Sequence, residues 1–74
     1  AQLFPSNFDV SILEHSEAVV VQSFLKNLDE SWVVIPSVNV THKGFDREID
    51  AILVSPDYGA YIVEVKGGKI SIDQ

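Results

Sequence analysis

The stretch that decides the fold is residues 47–66, REIDAILVSPDYGAYIVEVK. Its two ends, residues 47–54 and 60–66, are rich in apolar side chains over lengths typical of β-strands. The five residues between them, 55–59, include Ser, Pro, Asp and Gly, which favour tight turns. A loop this short joins antiparallel strands. The stretch therefore predicts a β-hairpin.

The hairpin brings acidic side chains face to face. If the strands close directly on the loop, Asp50 faces Glu64 and Glu48 faces Lys66, all on one face of the sheet. Directly opposed side chains lie about 4.5–5.5 Å apart at Cβ. Two carboxylates so placed repel each other, and one becomes harder to ionise unless a cation lies between them. A sequence selected for folding alone would seldom contain this pair.

A divalent-metal site is the functional interpretation of these acids. Mg²⁺ binds oxygen ligands, usually one or two carboxylates completed by water and substrate phosphate. Asp50 and Glu64 suit this role, and the backbone carbonyl of Val65 is a further candidate ligand. Lys66 emerges on the same face, where its charge would orient an attacking water, lower its pKa, or stabilise the transition state. Together these groups suit hydrolysis of a phosphodiester.

A salt-bridge ladder at the solvated end of the hairpin is the alternative interpretation. In that arrangement Glu48 pairs with Lys66, and Arg47 pairs with its neighbours. An acid followed by acid-x-Lys also arises by chance, so the spacing alone leaves both interpretations open.

A helix is predicted upstream of the hairpin. Ser11-Ile12-Leu13-Glu14 has the spacing of a capping box, so the helix starts at Ser11, or at the competing Ser16, and runs to about Leu28. Its apolar residues recur at helical spacing. They are Leu13, Val20, Val21, Phe24, Leu25 and Leu28.

Glu17 lies inside this apolar stripe. Burial of an unpartnered carboxylate costs several kcal/mol. If the stripe faces the sheet, Glu17 is therefore directed towards Asp50 and Glu64 as a third acid of the site. The alternative places Glu17 in an exposed first turn, where the helix dipole favours a negative charge.

The remaining segments complete an α+β layer in which the helix packs on one face of the sheet. Residues 32–40 read as an extended segment interrupted at Pro36, which predicts an edge position or a bulge. Residues 41–46 read as a polar turn, and residues 69–72 as a further strand after a Gly-Gly turn. Residues 1–10 are expected to be an irregular lead-in to the folded part, 11–74.

Composition narrows the class of protein. The chain has 74 residues, no cysteine, five basic and eleven acidic side chains, and a net charge of −6. The lack of cysteine excludes thiol catalysis and thiolate zinc sites. No apolar run approaches the roughly 20 residues that cross a bilayer, and no secretory signal is visible, so we expect a cytoplasmic protein. The negative charge argues against nucleic acid as a partner, unless a bound cation neutralises part of it.

The ordered series of these residues resembles a known family. Ser16-Glu17, the segment REIDAILVSP ending at Pro56, a turn ending in Gly59, and Glu64-Val65-Lys66 followed by Gly68 resemble the nuclease-related domain, NERD, of the PD-(D/E)XK nuclease superfamily. The resemblance covers roughly residues 16–72. Ser16 stands where the family commonly has Gly. The superfamily core also continues with a helix and a strand that do not follow here.

The resemblance implies a restriction-endonuclease-like core, in which the helix packs on a mixed sheet begun by an antiparallel hairpin. It implies Mg²⁺- or Mn²⁺-dependent cleavage of DNA, within a larger bacterial or archaeal DNA-processing or defence protein that carries helicase or other domains. Asp50 and Glu64 would bind the metal, Lys66 would assist the water, and Glu17 would match a helix acid found in part of the superfamily. Residues 11–74 would then be the N-terminal part of a nuclease domain.

Four of the five basic residues lie within residues 43–69, and Lys43, Arg47 and Lys69 are the candidate contacts to DNA phosphates. Two other hypotheses stay open. One is a nuclease-like module that no longer cleaves and serves in DNA binding or assembly. The other is a plain α+β structural domain.

Overall fold

The computed structural model describes residues 1–74 and has one helix packed on a mixed five-stranded sheet. The helix, α1, spans His15–Asn27. The strands lie across the sheet in chain order: β1 (Gln2–Leu3), β2 (Val33–His42), β3 (Phe45–Ser55), β4 (Gly59–Lys66) and β5 (Lys69–Asp73). β1 runs parallel to β2, and every other neighbouring pair is antiparallel. The predicted α+β class is confirmed.

The hairpin predicted from residues 47–66 is present as β3 and β4. Its pairs run from Ser55 opposite Gly59 to Ala51 opposite Val63, which is the register expected from strands that close directly on the loop. Ser55 supports the loop, because its hydroxyl accepts hydrogen bonds from the N–H groups of Asp57 and Tyr58, both at 3.2 Å. The loop chemistry therefore sets the register.

The interruption at Pro36 is an edge effect. The carbonyls of Trp32 and Val34 accept hydrogen bonds from the N–H groups of Gln2 and Phe4, and alternation turns residue 36 towards the same edge. Pro36 has no N–H to offer there, and β1 pairs no further than Val34. On its other side β2 keeps one register with β3 before and after Ser37, so no residue is inserted as a bulge.

The polar turn predicted over residues 41–46 is shorter than expected. Only Lys43 and Gly44 form the turn, with φ of 50° and 82°. Positive φ at both central residues is the geometry of a two-residue type I′ turn, whose twist matches that of the flanking strands. Thr41 and Asp46 are consequently a cross-strand pair, and the Thr41 hydroxyl donates to Asp46 Oδ1 at 2.7 Å.

The predicted capping box at Ser11 is wrong. Asp9 accepts hydrogen bonds from the Ser11 N–H at 3.0 Å and the Ser11 hydroxyl at 2.6 Å, and a 3₁₀ turn covers Val10–Ile12. Ser11 is thus engaged upstream, and α1 begins four residues later with Glu14 as an N-cap that makes no side-chain hydrogen bond. The end predicted near residue 28 is correct. The lead-in is also less irregular than expected, because it contributes β1.

The core lies between α1 and one face of the sheet. Its buried members are Val20, Val21, Val34, Ala51, Leu53 and Val63. Alternation along β3 buries every second residue from Ile49 to Ser55. On the same face Ile70 and Ile72 of β5, which pair with Val65 and Val63, stay 50 % and 49 % exposed.

α1 has 13 residues, and no helix of the structure has the length and hydropathy needed to cross a membrane.

Candidate active site

The site is built where β3 and β4 separate. Their pairing ends at Ala51 and Val63. Beyond that point β3 continues with β2 to the turn at Lys43 and Gly44, while β4 continues with β5 to the turn at Gly67 and Gly68. The two hairpin arms form a fork, and residues 45–50 of β3 face residues 64–66 of β4 across it.

Asp50 lies at the base of this fork. Its Oδ2 accepts a hydrogen bond from the Val65 N–H at 2.7 Å. The predicted hairpin register placed Asp50 directly opposite Glu64, and the strand pairing stops one pair short of that position. The Asp50 side chain therefore joins the two strands where their main chains no longer pair.

Three carboxylates converge beside the fork. One oxygen from each of Glu17, Glu48 and Asp50 lies within 4.8 Å of the others. We call these three residues the acidic cluster. Glu17 comes from the first turn of α1, two residues after His15, and lies half-buried on the side of α1 that packs on the core. The sequence predicts Glu17 near both Asp50 and Glu64; the structure places Glu17 beside Asp50, and Glu64 is not in the cluster.

The electrostatics of the acidic cluster oppose its full ionisation. Burial raises the pKa of Glu17, and a hydrogen bond and the negative charge of Asp50 raise it further, with smaller contributions from Glu14 and Glu48. Like charges that share a site disfavour each other's charged form. A cation bound there would relieve the repulsion.

Glu48 is the cluster member that sequence reasoning missed. The sequence pattern offers Glu48 only as a salt-bridge partner of Lys66, and the structure contains no such ion pair. The signal was available, since Glu48 and Asp50 are two residues apart in one strand and therefore share a face.

Glu64 lies outside the acidic cluster. Its Oε1 forms an ion pair with Arg47 Nη2 at 2.6 Å, across the fork from β4 to β3. The glutamate side chain is 29 % exposed and the arginine side chain 67 % exposed. The salt-bridge interpretation is thus correct in giving Arg47 a neighbouring partner, and this pair is the single salt bridge of the structure.

The two arms of the fork border a pocket of about 420 Å³ that is open to solvent. No apolar side chain lines it, and its walls are Arg47, Glu48, Glu64, Lys66 and Ser71. Lys66, at the end of β4, is exposed and makes no ion pair. Glu48 belongs to both the pocket and the acidic cluster, so the two are adjacent.

The other predicted DNA contacts lie on the arms. Lys43 is exposed in the turn of the β2–β3 arm. Lys69 is exposed at the start of β5, paired with Lys66 across the other arm's turn. Each arm therefore carries basic side chains, with Lys43 and Arg47 on the β2–β3 arm and Lys66 and Lys69 on the β4–β5 arm.

The donor set fits a hard divalent cation. The acidic cluster offers carboxylate oxygens alone, which are the ligands that Mg²⁺ and Mn²⁺ prefer. The cluster also leaves room for further ligands, since three carboxylates do not complete an octahedron.

Comparison with known proteins adds one result. The model of the nuclease-related domain, NERD, matches residues 14–74, a range that includes α1 and strands β2 to β5. No curated protein and no solved structure matches the chain. Because the match covers most of the chain, the protein belongs to the nuclease-related domain family and is a nuclease-like module.

Proposed function

We propose that this chain is a Mg²⁺- or Mn²⁺-dependent DNA endonuclease module. The observation that carries the proposal is the convergence of Glu17, Glu48 and Asp50 beside a fork that also holds Glu64 and Lys66. Membership of the nuclease-related domain family supports DNA as the substrate. We infer further that the module acts in the cytoplasm, within a larger DNA-processing or defence protein.

In this proposal the acidic cluster holds the cation. Asp50 is the central ligand, because the Val65 N–H fixes its carboxylate by the hydrogen bond to Oδ2. Glu17 and Glu48 bind beside it, and Glu64 and the backbone carbonyl of Val65 are further ligands on the β4 side. A bound Mg²⁺ would supply an activated water and neutralise charge on the phosphate.

Lys66 acts on the water or on the phosphate. It carries a positive charge in the pocket next to the acidic cluster and has no acidic partner to neutralise it. An ammonium group in this position favours deprotonation of a nearby water and stabilises negative charge on the phosphate oxygens. Hydrolysis joins the water oxygen to phosphorus and breaks the P–O ester bond; the water gives up a proton, and the leaving oxygen accepts one.

The DNA backbone is proposed to lie along the fork. Lys43, Arg47 and Lys69 are distributed over the two arms, and each would contact a phosphate. The net charge of −6 opposes this placement less once a divalent cation occupies the acidic cluster, because the cation neutralises most of the negative charge of the three carboxylates.

The test is cleavage of supercoiled plasmid by the full-length protein with Mg²⁺ or Mn²⁺. We expect nicked or linear product, and we expect Asp50→Ala and Glu64→Ala to abolish it. Unchanged cleavage by both variants would overturn the assignment of these residues. DNA binding without cleavage, in a protein that still binds the metal, would instead favour the hypothesis of a module that has lost activity.

A further inference from the structure

The Arg47–Glu64 ion pair joins two residues with different proposed partners. Glu64 is a proposed ligand of the cation, and Arg47 is a proposed contact to a DNA phosphate. In the structure the two side chains bind each other, with Arg47 Nη2 and Glu64 Oε1 2.6 Å apart. The pair engages one oxygen of Glu64 and one nitrogen of Arg47, so it competes with both proposed partners for these side chains.

We propose that the Arg47–Glu64 ion pair couples cation binding to DNA binding. In the free protein Arg47 occupies Glu64 in place of the divalent cation. When Glu64 turns to the cation, Arg47 is released into the pocket and binds a non-bridging phosphate oxygen of the DNA strand. The inference rests on the proposed function and adds to it a residue that positions the substrate.

The surroundings of Arg47 support this exchange. Its side chain is 67 % exposed, so it can change partner without disturbing the core. It lines the same pocket as Lys66 and Ser71, whose ammonium and hydroxyl groups are also donors suited to phosphate. Once the cation neutralises the charge of Glu64, Arg47, Lys66 and Ser71 give the pocket a surplus of hydrogen-bond donors.

The coupling follows from linkage. In this proposal the ligand that binds first breaks the ion pair, and the second then binds without that cost. The effect is reciprocal, so the cation must raise DNA affinity by the same factor as DNA raises cation affinity. Exposed ion pairs contribute up to about 1 kcal/mol, so we expect a factor of about two to five from Arg47.

The experiment compares three forms of the full-length protein by calorimetric titration with Mn²⁺: wild type, Arg47→Gln and Lys26→Gln. The lysine variant is the control for the loss of one positive charge, because Lys26 is exposed in α1, outside the pocket and the acidic cluster, and makes no ion pair. Each titration is repeated in the presence of a saturating short DNA duplex whose phosphodiesters are replaced by non-hydrolysable analogues.

We expect Arg47→Gln to bind Mn²⁺ about two- to fivefold more tightly than the wild type without DNA. We expect the duplex to enhance Mn²⁺ affinity less in Arg47→Gln than in the wild type, by the same factor. Lys26→Gln should match the wild type in DNA-free Mn²⁺ affinity and keep the wild-type enhancement.

Two failures are distinguishable. If all three forms bind Mn²⁺ equally without DNA and show equal enhancement with it, the coupling is overturned and the proposed metal site stands. If the wild type binds no Mn²⁺, or if Asp50→Asn binds it as well as the wild type, the metal site of the proposed function is overturned, and the coupling falls with it.

Discussion

Asp50 Oδ2 accepts a hydrogen bond from the Val65 N–H at 2.7 Å, at the point where the pairing between β3 and β4 ends. A carboxylate of the candidate metal site therefore also holds the two arms of the fork together. Its negative charge and its acceptor oxygen have separate roles, and two substitutions distinguish them.

Asp50→Asn keeps an acceptor oxygen for the Val65 N–H and removes the charge that repels Glu17 and Glu48. Asp50→Ala removes both. We expect Asp50→Ala to be less stable than Asp50→Asn by about 1 kcal/mol, the cost of a partly buried donor without its partner. Urea unfolding at pH 7 without divalent cations measures the difference. Equal stabilities would show that the Asp50–Val65 bond does not support the fork.

The pH dependence of stability tests the acidic cluster. Burial and the adjacent Asp50 raise the pKa of Glu17 above its usual 4.5. The folded state therefore binds this proton more tightly than the unfolded state. The resulting loss of folding stability is absent below about pH 4.5 and develops as the pH rises through the pKa of Glu17 in the folded state. Glu17→Gln should consequently raise the Tm at pH 7–8 and have little effect near pH 4.

The measurement is thermal unfolding of wild type and Glu17→Gln from pH 4 to pH 8 in a chelating buffer. Glu30→Gln is the control, because Glu30 is an exposed acid after α1 and outside the cluster. A Tm difference that is independent of pH would contradict the raised pKa of Glu17.

Much of the site was predictable because short-range chemistry determines it. The loop at residues 55–59 fixes the hairpin register, and the register places Asp50 and Glu64 at the open end of the hairpin. Helical spacing places Glu17 on the side of α1 that packs on the sheet. These steps need only the periods of strands and helices.

The fork was not predictable from those periods. Alternation alone puts Asp50 on the sheet face away from the core, and it assumes that the ladder continues past Ala51. In the structure the β2–β3 and β4–β5 arms are each closed by a turn with positive φ, and the strands between them diverge. The Asp50 side chain then reaches Val65 and Glu17, and Glu64 is left to pair with Arg47. Which partner Asp50 and Glu64 each bind depends on tertiary geometry, which no local pattern encodes.

Glu48 is the residue that most directly tests the composition of the acidic cluster. If it is a ligand, Glu48→Gln weakens Mn²⁺ binding and reduces the thermal stabilisation that Mn²⁺ gives. A ligand at one hundred times its Kd stabilises a protein by about 2.7 kcal/mol, so the loss is measurable. Asp57→Asn, in the loop at the far end of the hairpin, should keep the wild-type stabilisation. Equal stabilisation in both variants would exclude Glu48 from the site.

The turn at Lys43 offers a test of the β2–β3 arm. Lys43 has a φ of 50°, a region that a lysine adopts at a cost, and type I′ turns favour Asn followed by Gly. Lys43→Asn should therefore stabilise the protein by about 0.5–1 kcal/mol and lower its DNA affinity through the lost charge. Lys43→Gln is the control, since it loses the charge without the turn preference. A destabilised Lys43→Asn protein would contradict the turn geometry.

Substitution of Lys66 distinguishes a nuclease from a plain structural domain. The side chain is exposed and unpaired, so Lys66→Ala should change the free energy of unfolding by less than about 0.5 kcal/mol. Lys66 is outside the acidic cluster, so Mn²⁺ binding should persist in the variant. If the ammonium group assists the water or the phosphate, plasmid cleavage should fall about 10²- to 10³-fold.

Lys69→Ala is the matched control, because Lys69 pairs with Lys66 across the turn. Loss of one phosphate contact should reduce DNA affinity in the control and leave the rate at saturating DNA unchanged. Equal rates at saturation for Lys66→Ala and wild type would remove Lys66 from the reaction, because a small change in stability is all that a structural role predicts.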